Sequence, residues 1–447
     1  VDEAPTGVPG RTGPLTSGRA RRYLRRTVDD ELDVLLTQLP AVLLDGAKGV
    51  GKTATALERA RTVWRLDDPA QAAIVRADPA AALAAPTPVL LDEWHRVPEV
   101  WDAVKRAVDA DPTSGRILLT GSAPFLHERT HSGAGRIAQV RMRPLTLTER
   151  GHAPSVSLAS LLAGSSDTPI SGTSELGLSG YVDELLRSGL PGLRHLEGRA
   201  LRTQLSGYVE RIVARELREA GLALRRPEAV HGWLRAYAAA VSTTASFERI
   251  RAASAPGHAE SPSPRSTVQP QIEALTALRV VDEVPALTPG HNHLRRLTLG
   301  PKHHLVDPAL AAVLLRTTAS ALLGGAASPA PTTARHGDAT LLGALFESLA
   351  TLCVRVAAQS AEAEVAHLRT RDSTREVDLV VTGADGRLVA IEVKLGARVD
   401  DHDVRHLTWL ATELGDRVAD RIVLTAGPHA YRRSDGVAVV PLALLGP

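Results

Sequence analysis

From Pro40 to about Leu147, short apolar runs alternate with stretches of helical periodicity. The runs are 41–44, 62–66, 89–92, 116–120 and 138–142. Several are apolar at successive positions, as strands covered on both faces are, so the pattern predicts a parallel sheet flanked by helices. Further on, the segment YVDELLRSGLPGL reads as a helix broken at Gly189 and Pro191. Residues 233–242, 246–254 and 266–278 read as three more helices, followed by a short hairpin, RVVDEVPAL. From about Leu341 one helix leads into alternating strands and a terminal α/β stretch.

Stretches dense in Ser, Pro, Gly or Ala punctuate this pattern. They predict a disordered tail over 1–18, an N-terminal domain over 19–151 and a linker over 152–175. A helical, winged-helix-like region over 176–323, a linker over 324–340 and a C-terminal domain over 341–447 follow, with a further insertion at 252–266. The cluster Arg19 to Arg26 reads as a solvated helix start. The fold class is α/β multidomain, with no internal repeat at solenoid periods.

Composition narrows this picture. The 447 residues suit two to four domains, and 44% hydrophobic with 23% charged residues indicates globular folding. Aromatics are only 3%, so Leu, Val, Ala and Ile must build the cores. A single cysteine, Cys353, allows no internal disulfide and fits a reducing compartment. No uninterrupted apolar run approaches the ~20 residues of a membrane span, and no secretory leader is visible. The expectation is a cytoplasmic protein without a membrane partner. A net charge of +2 is no nucleic-acid footprint. Only five of the 52 basic residues are lysines (Lys48, Lys52, Lys105, Lys302 and Lys394), and two of them fall inside the strongest motifs. Where arginine is the default cation, a lysine can mark a need for a compact ammonium.

The strongest motif is Gly46-Ala47-Lys48-Gly49-Val50-Gly51-Lys52-Thr53, which fits GxxxxGK[ST] between a strand and a helix. Such glycines let backbone N–H groups wrap a polyphosphate. Lys52 would reach the β- and γ-phosphates of ATP, and the Thr53 hydroxyl would bind Mg²⁺. The run VLLDE then places Asp92 to hold Mg²⁺ through water and Glu93 to activate the attacking water. Thr120-Gly121-Ser122 ends a third strand, where a small hydroxyl such as Ser122 could sense the γ-phosphate. Arg136 has two readings that stay open: a finger stabilising the transferring phosphoryl group, in cis or from another subunit of a homo-oligomer, or a surface salt bridge.

These segments, together with LLTGSAP, AGRIAQVRMRPLTLTE, SGLPGLRHL and PKHHLVDPALAAVLL, resemble a group of prokaryotic AAA-type ATPases fused to a C-terminal domain of unknown function. The resemblance covers roughly 22–447. It implies nucleotide and Mg²⁺ binding by Lys52 and Thr53, Mg²⁺ binding by Asp92, catalysis by Glu93, and a winged helix in the middle region. Lys48 departs from the pattern, which usually has arginine there.

The third middle helix, STVQPQIEALTAL, carries no Lys or Arg, so a structural or protein-binding winged helix is favoured over duplex DNA reading. His291, His293, His303 and His304 match no common metal spacing and read as exposed or loop histidines.

Near the end, REVDLVV-TGADG-RLVAIEVKL reads as a hairpin with Glu392 and Lys394 on one face and Val389, Ile391, Val393 and Leu395 on the other. Asp378 falls opposite residue 391, 392 or 393, so two carboxylates and a lysine converge, with Glu347 as a fourth member. Such a cluster can hold a second Mg²⁺ while the lysine orients a water toward a phosphodiester. The arrangement resembles the PD-(D/E)xK nuclease superfamily across about 341–447, which implies a restriction-endonuclease-like domain. Two functional readings remain. One is an ATPase whose nucleotide state controls a nuclease-like module acting on DNA or RNA. The other is an ATP-dependent protein-interaction switch whose nuclease-like domain does not cut.

Overall fold

The computed structural model describes residues 23–121, 134–164, 170–222, 226–254, 264–287, 300–326, 333–370 and 374–447. The predicted tail, Ser122, His291 and His293 lie outside the described residues.

Five parallel strands form the N-terminal sheet: β1 (Ala41–Asp45), β2 (Thr62–Arg65), β3 (Val89–Asp92), β4 (Ile117–Gly121) and β5 (Ala138–Arg141). Their order is β2-β3-β4-β1-β5, and each apolar run of the sequence supplies one of them. β1, β3 and β4 are buried along their whole length because helices cover both faces. Alternate residues feed separate cores. Ala41, Leu43, Leu91 and Leu119 pack on helix Val100–Ala110, while Val42, Leu44, Leu90 and Leu118 join the main core.

The middle region begins with helices Leu178–Leu186 and Gly198–Arg211; the second runs into a π-helical turn, Ile212–Glu216. Helices Pro227–Ala239, Phe247–Ala253 and Arg265–Ala277 follow. The expected hairpin within RVVDEVPAL does not form. This segment lacks a glycine or asparagine turn signal and stays extended, bridging antiparallel to the chain after Gly300: Val281 pairs with Leu305, and Val284 with Lys302.

The C-terminal sheet also draws on the stretch expected to be a linker. Val156–Ser157 (β6) pairs with the chain's last strand, and Gly172–Thr173 (β7) edges the main sheet. Helix Leu158–Leu162, opened by the Ser157 cap, packs its leucines into the core, so 152–175 is structural rather than a spacer in its described part. Strands β8 (Glu364–Arg369), β9 (Glu376–Thr382), β10 (Leu388–Lys394), β11 (Val418–Thr425), β12 (His429–Arg432), β13 (Ala438–Pro441) and β14 (Leu445–Gly446) complete the set. The seven-stranded order is β7-β12-β13-β11-β10-β9-β8. β8, β9 and β10 form an antiparallel meander, and helix Asp401–Leu414 then crosses to β11, parallel to β10.

Helix Thr333–Ser360 covers the other face and reaches back into the second expected linker. Its segment Leu341–Ser360 has a mean hydropathy of 1.7 and is by length and composition apolar enough to cross a membrane, although Glu347 and Arg355 interrupt its apolar run. However, 67% of it is buried within the protein, and its Glu347 and Arg355 are ion-paired to Lys302 and Asp282. It packs as a core helix.

One continuous core runs from Val28 and Leu32 through Trp233 and Tyr237 to Leu345, Ile391 and Leu445, so the three regions are fused rather than strung. Asp282 closes the seam between them. Its carboxylate meets Arg143 at 3.1 Å, Arg355 at 3.2 Å and Arg141 at 3.5 Å. Burial alone would raise its pKa, but Arg143, Arg355 and Arg141 hold it far below the usual carboxylate range. Replacing Asp282 with alanine leaves three arginines facing each other in a buried site and should cost about 3–5 kcal/mol in urea unfolding. A loss under ~1 kcal/mol would show that the seam does not depend on this cluster.

Candidate functional site

The loop after β1 is shaped by close backbone contact. A Cβ on Gly46 would lie 2.2 Å from the Met142 carbonyl oxygen, and Gly49 and Gly51 have φ of 81° and 107°, which favour glycine. Ala47 and Val50 are buried beneath the loop. Lys52 opens helix Lys52–Leu57 and donates to the carbonyls of Gly46 at 2.7 Å and Ala47 at 3.1 Å. Burial pushes its ammonium down to about 8, with Glu93, Asp45 and Asp92 pulling the other way.

Thr53, Asp92 and Thr120 form one hydrogen-bonded set. Asp92 Oδ1 accepts from the Thr53 hydroxyl at 2.7 Å and from the Thr120 hydroxyl at 2.5 Å. A hydroxyl and a carboxylate oxygen on adjoining elements are a donor set that suits Mg²⁺. Glu93 follows in a left-handed conformation, φ 56°, unusual for a non-glycine residue. Burial raises its carboxyl pKa, opposed by Lys52. His95 Nδ1 lies 3.5 Å from Glu93, but burial and Arg96 bring that imidazole down to about 4, so it is neutral at physiological pH.

Three features around the loop were not legible beforehand. Arg26 is not solvated; it is 4% exposed, donates to the Val50 carbonyl at 2.9 Å and pairs with Glu149 at 3.1 Å. Lys48 reaches Glu216 of the π-helical turn at 2.5 Å, and the Tyr208 hydroxyl donates to the Lys48 carbonyl at 2.9 Å. Asp45, immediately before the loop, accepts from Arg279 at 2.7 Å. Arg136 pairs with Asp109 at 2.9 Å on the exposed surface.

The second constellation lies on the C-terminal sheet. The β9–β10 register sets Leu379 opposite Ile391, so Asp378 falls at the level of Glu392, where the ladder gives way and Asp378 Oδ2 accepts from the Val393 amide at 2.9 Å. Val389 and Ile391 face the main core, leaving Glu392 and Lys394 on the opposite face, 2.9 Å apart. Glu347 joins from helix Thr333–Ser360. An unforeseen member, Lys302, enters between the acids: its Nζ lies 2.8 Å from Glu347, 3.1 Å from Asp378 and 3.5 Å from Glu376. The one available signal was its rarity as a lysine in an arginine-rich chain. Glu392 Oε2 is buried without a hydrogen-bond partner, so the acids retain an unused oxygen that suits a hard cation.

Burial first, and then the neighbouring Asp378 charge, push both Glu347 and Glu392 up to about 8. Burial works against the Lys302 ammonium, but Asp378 and Glu347 hold it well above its usual value. His303 and His304, expected as exposed or loop histidines, lie outside helices and strands but are buried; His303 bonds Glu283 and the Ala245 carbonyl, and His304 approaches Ser348. They gather no metal-ligand set with these partners.

Three family models match successive parts of the chain. Residues 38–150 match a family described as AAA domain, residues 179–321 a domain of unknown function (DUF8612) and residues 342–445 another (DUF4143). The chain is also similar to the solved Walker-type ATPase PABY2304 of Pyrococcus abyssi, at 19% identity over 66% of this chain and 97% of that chain, with a TM-score of 0.41. A comparison with curated proteins gave no match. Residues 38–150 are thus similar to AAA domains over the stretch that holds the glycine loop and the Thr53–Asp92–Thr120 set.

The raised carboxyls have a measurable consequence. A carboxyl held near 8 in the folded state and near 4.5 when unfolded binds its proton more tightly in the folded protein. Stability should therefore be highest below about pH 4.5 for these groups and fall as pH rises toward 8. Urea unfolding of Glu392→Gln should show a shallower fall between pH 5 and pH 8 than wild type, by more than ~1 kcal/mol across the window. Parallel profiles would contradict the assignment.

Proposed function

We propose that the chain binds ATP with Mg²⁺ at the P-loop and hydrolyses it, and that its nucleotide state controls a C-terminal nuclease-like module acting on DNA or RNA. The observation that carries the ATPase reading is the continuous set Lys52, Thr53, Asp92, Thr120 and Glu93 at the ends of β1, β3 and β4. The glycine loop offers backbone N–H groups to the phosphates, and Lys52 leaves the Gly46 and Ala47 carbonyls to meet the β- and γ-oxygens. Thr53, and Asp92 through a water, would hold Mg²⁺, which would supply charge neutralisation. Glu93 orients and deprotonates the attacking water, and its raised pKa suits a general base. Ser122 keeps its reading as a γ-phosphate sensor, and Arg136 its reading as a finger in a homo-oligomer.

The order helix, three strands, helix, strand, with Asp378, Glu392 and Lys394 on it, supports a restriction-endonuclease-like domain with a second Mg²⁺ site. The helices from Pro227 to Ala277 and the paired arms after them support a winged-helix-like middle region. The third helix has a single basic residue, Arg265, which favours a protein contact over duplex reading. A specific observation favours the second reading, a protein-interaction switch that does not cut: Lys302 already sits among the acids. The buried single cysteine fits a cytoplasmic setting.

Steady-state Mg²⁺-dependent ATP turnover tests the first reading. Glu93→Gln should lower kcat by ~100-fold or more while ATP still binds, whereas Lys52→Ala should lose binding as well. Turnover at the wild-type rate in either variant would sink the assignment. Mg²⁺-dependent cleavage of DNA or RNA that disappears in Asp378→Ala and Lys394→Ala separates the module's two readings; no cleavage by any form leaves the protein-interaction switch.

A further inference from the structure

The C-terminal acids already hold a cation, and it belongs to the chain itself. Lys302 is 1% exposed, and its ammonium contacts three carboxylates drawn from two elements: Glu347 of helix Thr333–Ser360, and Glu376 and Asp378 of β9. Its backbone is fixed as firmly. The Lys302 amide donates to the Val284 carbonyl, and the Val284 amide to the Lys302 carbonyl, both at 2.9 Å. An ammonium enclosed by acidic oxygens occupies the position a small hard cation would take, and the same oxygens cannot close to the ~2.1 Å that Mg²⁺ requires while Nζ stands between them.

Meanwhile Glu392 Oε1 accepts from Lys394 at 2.9 Å while its Oε2 is buried without a partner, an acidic oxygen left open beside the acids that Lys302 holds. The arm that pairs with Lys302 is anchored at its far end to the nucleotide domain. Arg279 meets Asp45 beside the P-loop at 2.7 Å, and Asp282 meets Arg143 and Arg141 just after and within β5.

We propose that Lys302 is a built-in counter-ion that competes with a divalent cation for the Glu347/Asp378/Glu392 site, so that the site takes up metal only when the arm carrying Lys302 withdraws. This rests on the reading of Asp378 and Glu392 as cation ligands. It makes Lys302 a positioning and gating residue, not a catalytic one.

The test is Mn²⁺ binding to the full chain without nucleotide, read from the free-ion paramagnetic resonance signal. Wild type should bind Mn²⁺ weakly. Lys302→Met should bind one ion at least ~10-fold more tightly, because the competing charge is gone and the acids still need a partner. Adding Asp378→Asn should abolish that gain, and Lys302→Arg should stay weak. If Lys302→Met does not fold, Lys302→Met with Glu347→Gln removes the lysine together with one of its acids and should show the same direction. Equal affinity in wild type and Lys302→Met, lost from both on Asp378→Asn, would overturn the gate while leaving the metal site. No Asp378-dependent Mn²⁺ binding in any form would remove the metal site, and the gate with it.

Discussion

A buried charge must find a partner, and much of this architecture follows from where those partners were placed. The arm from Arg279 to Leu287 and its pairing strand from Lys302 carry three charges in such pairs, with Lys302 buried, Asp282 nearly so, and Arg279 half-buried against the buried Asp45. Arg279 binds Asp45 beneath the P-loop, Asp282 binds arginines of the nucleotide domain and of helix Thr333–Ser360, and Lys302 binds the C-terminal acids. None of the three can leave its site without exposing a charge in the other region. The arm is therefore tied at both ends, and its position is a property of the whole molecule.

The apolar packing has the same character. A single core joins the sheet of β1 to the middle helices and to one face of β10. Only the outer faces of the two sheets have separate cores, one against helix Val100–Ala110 and one against helix Asp401–Leu414. A close-packed interior transmits displacement rather than absorbing it. Contacts onto the loop itself, Glu216 with Lys48 and Tyr208 with the Lys48 carbonyl, give phosphate charge a direct opponent in the middle region. On the proposed reading, a polyphosphate arriving at the loop would compete with Glu216 for the Lys48 ammonium.

What the sequence made legible was local. Successive apolar positions located β1, β3 and β4, because a strand buried on both faces leaves no alternation to confuse, while the half-exposed β2 and β5 showed as the mixed runs 62–66 and 138–142. Period two put Glu392 and Lys394 on one face and brought Asp378 to within one residue of Glu392, and the structure then fixed the register at Glu392. What stayed hidden depended on contacts distant in the chain. Arg26 read as a solvated charge, since nothing nearby reveals the Val50 carbonyl or Glu149. RVVDEVPAL read as a self-contained hairpin, since its true partner lies beyond an intervening segment. The stretch after His152 read as a spacer because β6 and β7 are two residues each and owe their existence to strands near the C-terminus. Lys302 was visible only as a scarce residue type, a signal without a location.

If the arm carries nucleotide state to the carboxylates, the two reciprocal amide bonds between Val284 and Lys302 are its most direct reporters. Hydrogen exchange at 280–287 and 300–305 should be compared with and without ATP and Mg²⁺ in the Glu93→Gln variant, which on the proposed reading would hold ATP without turning it over. The account predicts that the P-loop becomes protected while exchange at Val284 and Lys302 accelerates as the arm loosens. Protection at the P-loop with unchanged exchange along both strands of the arm would contradict it.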